Sequence, residues 1–416
     1  MTLHSQARRL DVAAGCPHAR NAALLSRGAV TPVVMPGGVE GIAVLGHHAL
    51  KTLLAHPDVA KDPRHFTALR EGRVPDGWPL TTFATVPGMN TADGADHRRL
   101  RTLVGKAFTP RRVAALRPRI AAAVDRLLDE LERAARTGDG VADLRAHFAM
   151  PLPVSVVCHL LGVDAAHAAR LRHLSNQVVS THLAPAQVRA ANDGMAALLA
   201  DLAAARAADP GDDLASALLV ARDEDGDRLS PDELIGAMML LVVAGHETTL
   251  DLITNAVRAL CAHRGQLALV QAGDASWSDV VEETLRWDSP VSYFPFRYAT
   301  RDLALEGAVI PAGAPVLAGY SAAGRDAAAH GPDADRFDVL RDDKRHLSFG
   351  HGAHFCLGAP LARLEAALAL RALFTRFPDL DLAIREEDLE RHPGFVGNSV
   401  RELPVRLEEA AMPRTS

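Results

Sequence analysis

Apolar and charged positions recur at helical intervals along most of the chain. In RIAAAVDRLLDELERAAR (Arg119 to Arg136) and LARLEAALALRALFTRF (Leu361 to Phe377), apolar residues return every three or four positions with charged residues between them. That spacing predicts amphipathic helices, and abundant alanine and leucine add intrinsic helix propensity. Strand-like pieces bounded by Gly and Pro fall at Thr31 to Val44, Leu303 to Leu317 and near Leu403 to Leu407. They are too few and too separated to predict a large sheet. The expected fold is mainly α with small β-sheets.

One helix has a marked start. Ser230 stands at the N-cap, Pro231 at the first helical position, and Glu233 three residues after Ser230 completes a capping box. No proline follows until well past His263, so at 1.5 Å per residue the helix runs about 50 Å. From Leu234 to Val243 it is apolar nearly all round, which predicts burial on most sides. The segment AGHETT, Ala244 to Thr249, then sets polar groups in the middle of a buried helix.

Composition narrows the class. In 416 residues no linker or charge block is long enough to divide the chain, which predicts a single domain over 1–416 with residues 1–20 as a flexible lead. A net charge of −6, with both signs mixed along the sequence, argues against nucleic acid as a partner. Four scattered cysteines, Cys16, Cys158, Cys261 and Cys356, form neither a disulfide framework nor a CxxC metal site and fit a reducing cytoplasm. The N-terminus lacks a signal-peptide core, and the longest apolar run, Leu234 to Gly245, falls short of the roughly 20 residues that span a bilayer. No membrane attachment is expected.

The strongest local signal is FGHGAHFCLGAPLAR, Phe349 to Arg363. Gly350 and Gly352 let the backbone turn tightly, and Gly358 permits close approach of a flat ligand. Cys356 then sits at a helix start, where free N–H groups and the helix dipole favour thiolate over thiol. A buried, inert cysteine is the common alternative. The pattern F-x-x-G-x-x-x-C-x-G, however, is expected by chance in such a composition only about once in a thousand sequences.

This loop resembles the haem-binding loop of the cytochromes P450, and the resemblance extends from about Thr31 to the C-terminus. It implies the P450 fold, a long central helix over haem b (iron protoporphyrin IX), and Cys356 as the axial thiolate that promotes O–O cleavage. It further implies Phe349 packed near the sulfur and His354 as a propionate partner. His97 and Arg101, four apart in ADHRRLRTLV, resemble the helix that clasps a propionate, and Arg297 in FPFRYAT resembles another such arginine. Arg98 and Arg99 are expected to face solvent. Glu283 and Arg286 in VVEETLRW can bridge on one helical face, and with Arg336 in DADRFDV they resemble the family's Glu-Arg-Arg cluster.

AGHETT resembles the family's oxygen-binding groove, which implies that Glu247 and Thr248 deliver protons during oxygen activation. A threonine here could instead bond back to a carbonyl one turn earlier. Leu240, Ala244 and Thr248 are spaced i, i+4, i+8 and line one stripe, with Ala244 and Gly245 leaving room for a ligand and Leu240 and Val243 forming an apolar wall. Met89, Tyr293, Phe294 and Val396 are expected to border the substrate pocket, as is Leu171 to Met195.

The resemblance implies a haem-thiolate monooxygenase that hydroxylates or epoxidises a small organic substrate, a bacterial secondary metabolite. Oxidative C–C or C–N coupling or ring closure without oxygen insertion is the alternative within the family, and a non-catalytic haem-thiolate sensor or carrier the remote one. With no reductase-like segment in the chain, the resemblance implies a ferredoxin and its reductase as electron donors. Arg98, Arg99, Lys106, Arg111, Arg112 and Lys344 could steer an acidic ferredoxin.

Overall fold

The computed structural model describes residues 7–10, 17–178, 183–223, 226–392 and 394–407. Helices dominate, as the periodicity predicts. Arg117–Thr137, Pro151–Leu161, Pro185–Ala208, Pro231–Ala262 and Ala359–Arg376 form a bundle around one large apolar core. Their ends obey local rules. Ser230 and Glu233 exchange backbone and side-chain hydrogen bonds at 3.2 and 2.8 Å, and Ser276 and Asp279 do the same at the start of Trp277–Trp287. Gly162 closes Pro151–Leu161 in the left-handed conformation that glycine tolerates best.

Of the strand-like pieces, Thr31 to Val44 and the end of Leu303 to Leu317 meet in a six-stranded sheet. Its order is Arg8–Arg9, Val30–Val34, Glu40–Val44, Pro315–Ala318, Phe294–Ala299, Val59–Ala60. Strands some 270 residues apart pair in parallel, Ile42 opposite Val316, a long-range contact that local pattern cannot register. A three-stranded sheet joins Val141–Asp143, Pro404–Arg406 and Asp381–Leu382, and a hairpin joins Leu303–Leu305 to Ala308–Ile310.

The expected flexible lead is also corrected in part. Arg8 and Arg9 pair with Val33 and Val34, Leu10 is buried, and Pro17–Leu25 is a helix that places His18 2.7 Å from the buried Asp288. The rest of the lead, including Cys16, lies outside the described residues.

Pro231–Ala262 crosses the protein. By length and composition it could span a membrane, but from Thr249 to Cys261 every residue is buried, against Ala359–Arg376, Pro151–Leu161 and Trp277–Trp287. Between Met239 and Thr248 it is more open: Leu240, Val243, Glu247 and Thr248 are half-buried and Ala244 is exposed. The stripe read from i, i+4, i+8 spacing is therefore a real face, and it opens where the small residues stand.

Candidate active site

The cysteine loop is shaped by its glycines and braced from below. Gly350 and Gly352 have φ of 74° and 73°, and a Cβ on Gly352 would lie 2.8 Å from the Leu54 carbonyl oxygen, so a side chain fits neither the backbone nor the space. The Cys356 N–H donates to the Phe349 carbonyl at 2.8 Å, and the helix Ala359–Arg376 begins three residues later. The Cys356 side chain remains accessible although protein surrounds the sulfur on most sides. Burial pushes its thiol up; the N–H groups of Gly358 and Ala359 and the charges of Arg101 and Arg363 pull it back down without winning. The helix start acts in the expected direction but does not by itself secure the thiolate.

Glu282, which sequence reasoning passed over beside Glu283, ties this loop to Trp277–Trp287. Its carboxylate accepts from Arg363 Nε at 2.6 Å and lies 3.2 Å from His346 Nε2, while the Arg363 guanidinium sits 4.5 Å from the centre of the Phe349 ring. Burial alone would raise the Glu282 pKa, yet Arg363 and His346 hold it at about 2. Ser348 adds a hydrogen bond to the Leu285 carbonyl at 2.5 Å.

Glu283 and Arg286 are both fully buried and bridge at 2.8 and 2.7 Å. Arg286 also donates to the carbonyls of Gly324, Ala334 and Arg336, and Glu283 accepts from the Asp338 N–H at 2.8 Å. Arg336 is not the third charge of this cluster. Its side chain is exposed and only its carbonyl takes part; the guanidinium that reaches Glu283, at 3.5 Å, belongs to Arg341. The intervening turn bends the chain back, so the residue five positions later faces the carboxylate.

Beside the loop lies a cluster of basic side chains. His97 is buried with its ring centre 4.0 Å from that of His354, and its Nε2 has no hydrogen-bond partner. Burial and the neighbouring His354 and Arg101 charges hold His97 down at about 4. Arg101 donates to the Phe355 carbonyl at 2.6 Å and lies close enough to Cys356 for their charges to interact. His354 lies 3.9 Å from Asp93, whose carboxylate also accepts from the N–H groups of Lys61 and Asp62.

Arg297 is 4% exposed with Nη1 unpartnered, and it bonds the Tyr320 hydroxyl. A one-residue register shift between Phe294 and Arg297 breaks the strand's simple alternation, which lets both side chains serve one face. Lys61, absent from the sequence reading, joins them. Its Nζ sits 4.9 Å from the Phe294 ring centre, and burial followed by the Arg297 charge holds its ammonium well below the usual range, with Asp93 opposing. Only burial betrays Lys61, since the segment VAKDPRH reads as an ordinary charged loop.

On the open face of the long helix, the Thr248 hydroxyl donates to the Ala244 carbonyl at 2.8 Å, the back-bond that a helical threonine can always make. Glu247 is half-buried, with protein packed around most of its carboxyl group. Its pKa is raised to about 7 by burial first and the Asp251 charge second, with Arg145 partly offsetting both.

Two other expectations change. Tyr293 does not border an open pocket: it is 1% exposed, stacks on Phe395 and bonds Asn21 through its hydroxyl. Phe294, Met89 and Val396 are half-buried, and Phe294 packs near Tyr320; within Leu171 to Met195, residues 179–182 lie outside the described residues. Arg99 does not face solvent freely, since it pairs with Asp227 and Glu233 and so fastens Gly94–Ala107 to the start of the long helix. Lys106 donates to the Arg222 carbonyl and Lys344 pairs with Asp279. Arg98 and Arg111 are exposed.

Comparison with known proteins agrees with this arrangement. The family model for cytochrome P450 matches residues 277–396. The chain is 40% identical over 404 residues to 2-hydroxy-5-methyl-1-naphthoate 7-hydroxylase of Streptomyces carzinostaticus, covering 97% of this chain and 98% of that protein. It is also 40% identical to 6-deoxyerythronolide B hydroxylase of Saccharopolyspora erythraea, covering 91% and 93%. Among solved structures, CYP154C4 from Streptomyces sp. W2061 superposes with a TM-score of 0.91 at 42% identity, over 98% of each chain. With the cysteine loop, the Glu283–Arg286 brace and the opened long helix assembled as described, this chain belongs to the cytochrome P450 family and is a haem-dependent monooxygenase.

Proposed function

We propose that Cys356 is the axial ligand of haem b and that the chain oxygenates a small, largely apolar secondary metabolite. The observation that carries this reading is the set of basic side chains near an accessible cysteine, two of them with buried, unpartnered nitrogens. Arg297 Nη1 and His97 Nε2 are buried without partners, a costly arrangement of about 1–3 kcal/mol per group unless an acceptor arrives. Haem would bring two carboxylates, which fit that demand, and Arg297, Lys61, His97, Arg101 and His354 would hold them.

When bound, haem supplies iron that activates dioxygen with two electrons. The protein residues supply protons and shape. Glu247, poised near neutrality, holds a proton on its carboxyl group. Thr248 shares its hydroxyl with the Ala244 carbonyl; rotation off that bond frees the Oγ1 proton, and its lone pairs can accept a replacement. Ala244 keeps the helix face low, while Leu240, Val243, Phe294 and Val396 contribute apolar surface that excludes water and orients the substrate. The relatives that act on a naphthoate and on 6-deoxyerythronolide B support an aromatic or macrocyclic substrate of secondary metabolism.

As in its relatives, turnover needs separate electron-transfer proteins and a small substrate. A ferredoxin with its reductase, in the cytoplasm, is the donor we propose. The groove of about 540 Å³ beside Ala359–Arg376, lined by Val113, Arg117, Trp277, Arg363, Leu364 and Arg371 among others, supports docking there.

Cys356→Ser tests the central claim. The reduced protein with carbon monoxide should lose the red-shifted band of thiolate-ligated haem, and a variant that kept the band would sink the reading.

A further inference from the structure

The long helix carries a second buried carboxylate one turn beyond Glu247. Asp251 is 5% exposed and Arg145 is 4% exposed, and their ion pair spans 2.6 Å. Arg145 opens a short turn of π-helix, Arg145–Ala149, just after the strand Val141–Asp143, so a separate segment delivers the cation to the helix. Arg145 also reaches Ser399 at 3.4 Å, and Ser399 donates to Asn255 at 3.0 Å. A Cβ on Gly397 would lie 3.3 Å from Asp251. The pair is therefore sealed between the helix, the π-turn and the 397–399 turn.

Glu247 and Asp251 are four residues apart and share one helix stripe. No group among the described residues hydrogen-bonds the Glu247 carboxyl. The charged groups that face it are Asp251 on its own helix and Arg145 on the π-turn. His246, next in the chain, faces elsewhere, into a small cavity among Val154, Val157 and Ser175.

We propose that the Arg145–Asp251 pair is a positioning element for Glu247, fixing a carboxylate at a set place on the helix stripe so that Glu247 keeps its proton until the reaction draws it. The proposal rests on reading Glu247 as the proton donor. Coulomb's law explains the division of labour: in a low-dielectric setting a like charge one turn away disfavours ionisation of Glu247. Arg145 holds the Asp251 carboxylate at 2.6 Å, and it cancels only part of the Asp251 field at Glu247. Without the pair, burial alone would still favour the acid form of Glu247, but by less.

The experiment is an infrared titration of the haem-loaded enzyme, following the protonated-carboxyl stretch that Glu247→Gln removes. The parent should titrate near neutral pH, and Asp251→Asn should lower the midpoint by about one pH unit, a tenfold drop in protonated Glu247 above the midpoint. Arg145→Gln combined with Asp251→Asn, which removes both charges while keeping volume, should lower it by less; this double variant serves if Asp251→Asn fails to fold. An intact carbon monoxide band confirms that the haem site survived. A midpoint unchanged in both variants overturns the proposal alone. A midpoint that falls, together with a Glu247→Gln enzyme that releases no more peroxide than the parent, overturns the donor reading and the proposal with it.

Discussion

The brace beneath the cysteine loop and the cluster beside it use the same residue types to opposite ends. In the brace, Glu282, Glu283, Arg286 and Arg363 are all paired, Glu283 and Arg286 are matched by carbonyls and N–H groups as well, and Arg341 is held by its ion pairs although its Nε makes no hydrogen bond. In the cluster, Arg297 and His97 carry unpartnered buried atoms, and Lys61 lies beside the Arg297 charge. Buried charges that satisfy one another hold a shape. Buried polar groups left unsatisfied are held in place by the surrounding fold, and a cluster of them marks where a ligand can act.

The contrast can be broken at several points. Arg286→Met should have the largest effect, since it leaves Glu283 buried and alone and frees three carbonyls; a loss of about 3–5 kcal/mol is expected. Denaturant unfolding and haem content check it, and a variant with parental stability would show that the brace is not needed. Thr248→Ala lies on the other side of the comparison. Stability should change by less than about 1 kcal/mol, because the hydroxyl bonds only one carbonyl and its loss leaves the helix bond intact. Coupling should suffer instead, with several-fold more peroxide released per electron pair under ferredoxin-driven turnover. Unchanged coupling would remove Thr248 from the proton route.

The smallest effects separate two arginines. Arg341→Ala should cost about 1–2 kcal/mol, through its contact with Glu283 and the carbonyls of His330 and Asp333. Arg336→Ala should stay within about 0.5 kcal/mol, as for an ordinary surface change. The reverse order, read by thermal or urea unfolding, would restore Arg336 to the cluster.

Local pattern determined much of this protein. The capping box at Ser230, the helical periods, the glycine-shaped cysteine loop and the small-residue break at Ala244 all follow from short-range rules, because each depends on neighbours within one or two turns. The Glu283–Arg286 pair was legible for the same reason. What tertiary structure alone decided involves partners far apart in sequence. The six-stranded sheet joins segments separated by hundreds of residues, Arg341 replaces Arg336 because a turn redirects the chain, and Tyr293 turns into the core to meet Asn21. Lys61 and Arg145 look like surface charges in the sequence and become buried only when distant segments close over them. A side chain's charge is written in the sequence. Its burial and its neighbours, which set the energy of that charge, exist only once the chain has packed.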